Sequence, residues 1–365
     1  MKKLIWYQLI SIFGLIILAS LKFGISLSFA EQLVNIGVKG ESISTLAMNP
    51  SDNRTLYAGT QDGLFKSSDG GETWVPINEG LTSKKILTLA IDPVKTNTLY
   101  CGTRCGAFKS VNGGAHWTAI RHPIPDTEIP AIAIDPDNTS TIYVIARDSV
   151  WVMAIFVNDQ NEGMLKSLTH DGLAMSTDGG ETWSYISDFG DINLQLECIA
   201  IDPVNRDTLY AGSRCGLYKS TDRGAEWSIF NRRLDGFCVK SIAAHPRDSN
   251  IIYATTKKGI FKSTDGADSW RAINNGLPNA EVLSFILEPS DSMNLYAGTK
   301  FGAFKSKNGG DTWLPIIGLD KCHIKNLIID PKDRSTLYAL TTEGLFKSTN
   351  SGENWVAMLK KKWVF

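Results

Sequence analysis

No stretch of useful length in this sequence places apolar residues three and four apart, so the hydrophobic rhythm of a helical protein is missing. The six cysteines show no CxxC or CxxCH spacing, which removes the ligand sets for structural zinc and attached haem. Five histidines, His116, His122, His170, His245 and His323, are scattered, and none pairs with another at metal-ligand spacing. There is no Ser/His/Asp order, no HExxH and no phosphate loop. An excess of one charge is missing too. Lysine and arginine number 37 against 38 acidic residues, a formal net charge of −1, so no nucleic acid or other polyanion is implied as partner. Nothing in the sequence calls for a metal or a cofactor.

What is present is one short stretch, repeated. Ser67, Asp69, Gly71 and Trp74 set the pattern Ser-x-Asp-x-Gly-x-x-Trp, led by Gly-Leu-Phe-Lys. It returns at Ser110, Asn112 and Trp117, at Ser176, Asp178 and Trp183, and at Ser220, Asp222 and Trp227. Three further copies stand at Ser263, Asp265 and Trp270, at Ser306, Asn308 and Trp313, and at Ser348, Asn350 and Trp355. Asp or Asn followed by Gly between apolar runs is a hairpin signal, because Gly supplies positive φ cheaply. The Ser and Asp side chains can bond backbone N–H groups inside such a turn. The Trp opens the next strand and buries a large ring against the turn. Three of the seven copies carry Asn, which keeps the turn bonding and drops the charge, so the motif reads as structural.

The tryptophans are spaced 43, 66, 44, 43, 43 and 42 residues apart. Each unit holds four strand-like segments. An apolar run ends at a Pro, Thr-Leu-Tyr-Ala-Gly follows, then Gly-Leu-Phe-Lys-Ser, and the fourth begins with the Trp. A period near 43 with four strands marks a propeller blade. The expected fold is all-β: a single seven-bladed β-propeller over residues 31–365, closed so that no long sheet edge stays open. Val34, Asn35 and Ile36 align with the stretch around Ile77 and Asn78, so the N-terminus is expected to add a strand to the last blade.

Residues 1–30 stand outside this pattern. Lys2 and Lys3 precede an apolar run from Leu4 to Leu21, and Ser28 and Ala30 offer a cleavage site. This reads as a secretory signal peptide or, given the length of residues 4–21, as an N-terminal membrane anchor. Either places the rest outside the cytoplasm, secreted, periplasmic or membrane-anchored facing outward. The long third unit carries an insert at about residues 147–168 with the form of a hairpin arm, which includes Trp151 and Phe156. It is either a packed extension or an arm that contacts a partner or membrane. Cys215 and Cys238 sit on loops of neighbouring blades, where a disulfide and two thiols are both compatible with the spacing.

The pre-proline residues Asn49, Asp92, Asp135, Asp202, His245, Glu288 and Asp330 recur in every unit and read as turn formers. The rim formed by the second-to-third strand loops is more variable. It carries Arg104, Arg214, Lys257, Lys258 and Lys300, and blade-entering loops add Arg232 and Arg233. These are either ordinary solvated charges or a basic docking face for a protein or glycan. Asp126, Glu128, Asp188, Asp191 and Asp235 are carboxylates on candidate loops, and none is singled out as a catalytic pair.

The repeated stretch resembles the Asp-box, or BNR repeat, of sialidases and related propellers. The whole unit is similar to xyloglucan-active exoglucanases, to the sortilin ectodomain and to photosystem II assembly and stability factors. The box marks the fold in all of these and does not choose a function. The sialidase Phe/Tyr-Arg-Ile-Pro motif is not found ahead of the first box, and Arg121 to Pro125 echo it only after the second. The xyloglucan enzymes resemble two tandem rings with a cleft between them, whereas this chain has repeats for one. The regular units, the lack of a resolved catalytic set, the cations of the rim and the inserted arm together lead to the expectation of a non-enzymatic binding or assembly scaffold, with a glycoside hydrolase or lectin as the alternative.

Overall fold

The computed structural model describes residues 43–120, 127–147, 152–157, 163–168, 171–188, 196–230, 234, 237–288 and 293–360. Seven four-stranded antiparallel sheets follow one another along the chain, with one separate two-stranded hairpin. Blade 1 shows the plan: an inner strand Ile43–Met48, a second strand Leu56–Thr60, a third Leu64–Ser67 and an outer strand Val75–Pro76. The outer strand begins one residue after the Trp, not at it. Trp74 is only 3% exposed and serves as packing below the strand. Residues 34–36 lie outside the described residues, and blade 7 takes its outer strand, Val356–Lys360, from the C-terminal end of the chain.

The core lies between blades. Seven clusters of buried residues each combine two neighbouring sheets. Tyr57 and Leu64 of blade 1 pack with Leu99, Phe108 and Trp117 of blade 2. Tyr210 and Leu217 of blade 4 pack with Ile252 and Trp270 of blade 5. The last cluster closes the circle, since Tyr338, Leu340 and Leu345 of blade 7 pack with Leu56, Ala58 and Trp74 of blade 1. Each large apolar side chain buried this way contributes about 2 kcal/mol. Second strands are buried throughout, save for Arg147 at the end of the one in blade 3, as fits a sheet covered on both faces. The Gly that ends Leu-Tyr-Cys-Gly in blade 2 serves close approach: a Cβ on Gly102 would stand 2.3 Å from the Ile129 carbonyl of the next blade.

The repeated corner is a closed hydrogen-bond unit. Ser67 Oγ donates to Asp69 at 2.7 Å and accepts the Gly71 N–H at 2.8 Å, and Asp69 accepts the Thr73 N–H at 2.9 Å. The same three bonds form in the Asn copies, as at Ser306, Asn308, Gly310 and Thr312. Gly71 sits at φ 97°, in the region an L side chain rarely adopts. In blade 5 Ala267 takes this place at φ 83°, and there the Trp270 indole N–H has no partner among the described residues.

A contact that the sequence does not announce ties four of the corners to their neighbours. The Lys before the box Ser lies over the Tyr of its own blade and reaches the turn of the next. Lys219 Nζ is 5.9 Å from the Tyr210 ring and donates to the Gly266 carbonyl at 2.8 Å. Lys66, Lys262 and Lys305 repeat this onto Gly113, Gly309 and Ser351. Burial pushes the Tyr57, Tyr253 and Tyr296 phenols up to about 12, so each ring stays neutral beneath its ammonium. Blade 3 has Met175 at the Lys position and lacks the contact.

The pre-proline carboxylates cap turns at the same end. Asp202 accepts the Val204 and Asn205 N–H groups and the Ser249 hydroxyl of the next blade. Asn53 of blade 1 donates to Asp330 of blade 7 at 2.7 Å and thereby joins the two ends of the ring. No disulfide links the described cysteines, so Cys215 and Cys238 are not joined.

The Asp boxes predict an acid-sensitive fold. Burial works against the charge of Asp69, but hydrogen bonds from the Thr73 side chain and backbone and from Ser67 outweigh it and hold its carboxyl at about 2. Hydrogen bonds from the Thr182 side chain and backbone lower Asp178, the Glu226 N–H lowers Asp222, and the Ser269 side chain lowers Asp265. Folded values below the usual 3.8 mean stability present above about pH 4 and lost as pH falls toward 2. Chemical denaturation between pH 6 and about pH 2.5 should show this loss. A variant combining Asp69→Asn, Asp178→Asn, Asp222→Asn and Asp265→Asn should show a visibly shallower acid limb.

Candidate functional site

The second-to-third strand loops lie at the end of the blades opposite the boxes. In six blades a hydroxyl closes this loop: Thr103 Oγ1 donates to the Gly106 carbonyl at 2.8 Å and accepts the Cys105 N–H at 3.0 Å. Thr60, Ser213, Thr256, Thr299 and Thr341 donate to the loop Gly carbonyl in the same way. The turn is therefore fixed, and the residue after the hydroxyl is presented at a constant place. That residue is Gln61, Arg104, Arg214, Lys257, Lys300 or Thr342. In blade 3 buried Ala146 replaces the hydroxyl residue, the strand runs on, and Arg147 fills the same register position. Five successive blades, 2 to 6, thus present an arc of cations.

Two carboxylates from inner strands organise part of this arc. Glu197 follows Leu196 on the inner strand of blade 4, Leu196–Ile201, and its side chain is 16% exposed. It lies 3.6 Å from Arg147, 3.4 Å from Arg214 and 3.3 Å from Lys240. Glu128 begins the inner strand of blade 3, Glu128–Ile134, at 3.8 Å from Arg104 and 3.9 Å from Arg147. Arg147 joins the two carboxylates, donates to the Leu196 carbonyl, and keeps a buried Nε with no partner among the described residues. Four cations face two carboxylates, so the cluster retains positive charge. Further round the rim, burial holds the His323 imidazole below its usual value, and Lys325 and Lys300 add to the effect. Lys257, Lys258 and Lys300 form no ion pair among the described residues. Guanidinium groups fixed at this spacing suit bidentate contact with carboxylates.

The insert leaves from this cluster. Arg147 and Asp171 face each other in the ladder between Ile142–Arg147 and Asp171–Ser176, and the chain between them forms the hairpin Val152–Val157 and Gly163–Leu168. Its register sets Phe156 opposite Met164. Trp151, Arg232, Arg233, Asp126, Asp191 and Asp235 lie outside the described residues. Arg147, Glu197 and Lys240 were not singled out from sequence. The signal was available for Arg147, which aligns with Arg104 and Arg214 once the insert is set aside. Glu197 and Lys240 have no such signal, because inner-strand residues at that place vary from Ser44 to Leu87 to Lys325. Among the described residues no group of three or more His, Cys, Asp or Glu is placed to hold a metal ion. Nor is any helix long and apolar enough to cross a membrane, and residues 4–21 lie outside the described residues.

This geometry defines a seven-bladed β-propeller of Asp-box repeats with cations at the loop ends of blades 2 to 6. The BNR/Asp-box repeat family matches residues 174–185, the corner of blade 3. No curated protein sequence is significantly similar to the chain. Solved structures are similar in fold. The GH74 xyloglucanase from Xanthomonas campestris superposes with a TM-score of 0.72 at 17% identity, over 90% of this chain and 56% of that one. The extracellular domain of a putative hybrid two-component system from B. thetaiotaomicron gives 0.62 at 15%, over 84% and 38%. YCF48 from Cyanidioschyzon merolae gives 0.60 at 13%, over 84% of this chain and 94% of its own. A second YCF48 structure, bound to D1 peptide, gives 0.55 at 14%, over 76% and 82%. The chain thus spans about half the length of the GH74 protein and nearly the whole of YCF48.

The ion-pair cluster predicts an asymmetry in stability. Glu197→Gln leaves three cations facing a neutral amide and should lower the unfolding free energy by about 2 kcal/mol. Arg214→Ala removes a side chain that is 58% exposed and should change it by less than about 0.5 kcal/mol. Urea denaturation of the two variants measures the difference.

Proposed function

We propose that this chain is an extracytoplasmic, non-enzymatic binding or assembly scaffold that holds a protein partner on its loop face. The observation that carries this reading is the arc of cations at one register position in blades 2 to 6, steadied by Glu128 and Glu197. The arc is presented by closed turns and costs little ordering on contact. The arm of blade 3 leaves the chain within this arc, between Arg147 and Asp171, and its sequence from Val152 to Val157 is largely apolar. YCF48, a single ring of matching extent, is a structure known with a peptide bound, which agrees with the reading. The leader or anchor read in residues 1–30 supports export.

A second reading, a carbohydrate-active enzyme or lectin, is favoured by the GH74 superpositions. Among the described residues no carboxylate pair stands out for it: Glu128 and Glu197 both pair with Arg147, and the side chain of Asp188 is not described.

Affinity capture from the native host is expected to yield a specific partner whose retention falls steeply with salt. Arg104→Glu with Arg214→Glu should abolish it, and deletion of residues 148–168, which keeps Arg147, should weaken it while the ring stays folded. An unchanged partner set in both variants contradicts the proposal. So would turnover of xyloglucan that Asp188→Asn abolishes.

A further inference from the structure

The box end of the ring carries a feature that the loop-face reading does not use. Between the outer strand of blade 6, Leu314–Pro315, and the corner of blade 7 lies a cavity of about 350 Å³. The same groove recurs between blades 2 and 3, at about 360 Å³, where Thr118, Ala119 and His116 line it. The two grooves are alike in size and position, and they differ in lining. Between blades 6 and 7 that lining is Leu314, Pro315, Ile316 and Ile317. Leu314 is 69% exposed and Ile317 81%, whereas Ile316 is buried and forms the floor. Two large aliphatic side chains held open over an apolar floor are an unfilled contact.

The rim of the groove narrows what fits. Lys307 and Glu353 line it, and neither forms an ion pair among the described residues. Lys305 is already engaged with the Ser351 carbonyl, so Lys307 is the cation available to a ligand. Pro315 sits in the outer strand and offers no N–H donor, so strand addition along this edge is disfavoured and recognition falls to side chains. The volume is at the small end of ligand pockets, room for one or two bulky side chains. A fatty acid or similar aliphatic anion would satisfy Lys307 but set its own charge against Glu353. A polypeptide supplies both an acidic group for Lys307 and N–H donors for Glu353.

We propose that this groove is a second docking site, on the face opposite the cation arc. It takes a polypeptide segment in which a bulky apolar residue stands next to an acidic one. The apolar side chain lies between Leu314 and Ile317 above Ile316, and the acidic group meets Lys307. With both ends of the ring engaged, the propeller bridges two polypeptides. The groove does not depend on the loop-face reading and is tested separately from it.

Panning a phage-displayed random heptapeptide library on the immobilised full chain tests this. The expected outcome is enrichment of peptides pairing a large apolar with an acidic residue. Synthetic copies should bind at least tenfold more weakly to Ile317→Asp and to Leu314→Ser, and equally well to Arg214→Glu. The substituted residues are exposed, and thermal melts check that both variants fold. No enrichment over the Ile317→Asp protein overturns the groove. So do peptides lost only on Arg214→Glu, an outcome that leaves the loop-face reading standing. Dodecanoate binding that Ile317→Asp abolishes, with no peptide enriched, would make the groove a lipid site and equally overturn the proposal.

Discussion

Packing between neighbouring blades is the constraint on which everything else depends. A four-stranded sheet of this size cannot bury both faces alone, and its outer strand here is as short as two residues. Each blade therefore shares its apolar side chains between two interfaces, and the set is satisfied only when the seventh interface closes. That last interface is made of the same parts as the others, with Trp74 against Leu345 and Tyr338, and Asn53 bonded to Asp330. The outer edges are short and, in blades 1 and 6, end in Pro76 and Pro315, which limits edge-to-edge association.

The box and the lysine before it serve that closure together. The corner fixes a carbonyl at a constant position, and the lysine of the preceding blade reaches it across a buried tyrosine. Hydrogen bonds to charged groups contribute about 1.5–3 kcal/mol each, so the four from Lys66, Lys219, Lys262 and Lys305 are a substantial share of a domain's stability. What differs between blades is confined to loop ends, the inserted hairpin and the linings of the interblade grooves. Recognition can change there without disturbing the frame.

The number of blades, their strand order and the role of glycine at the corner were legible because they repeat. Seven copies of one pattern reveal which positions are tied to backbone geometry. The lysine–tyrosine contact recurs in five blades, yet Phe-Lys-Ser reads as an ordinary alternating strand, and nothing local shows that its ammonium crosses to the next sheet. The loop cations Arg104, Arg214, Lys257 and Lys300 were legible for the opposite reason, as variation on a constant frame. Arg147 was hidden by the insert that follows it. Glu197 and Lys240 were hidden because a mixed inner strand gives no signal of which residue faces the rim. The start of the outer strand was misplaced by one residue, because the Trp is claimed by the core before the edge strand begins.

Closure makes a direct statement about the chain's two ends. In an open stack of repeats the terminal units fray, whereas in a closed ring they have neighbours on both sides. Amide hydrogen exchange measured over the second strands compares them: Leu56–Thr60 and Leu337–Thr341 at the ends against Leu209–Ser213 in the middle. Equal protection at all three is the predicted result. Exchange at the two terminal strands that runs far ahead of the middle one would contradict the account.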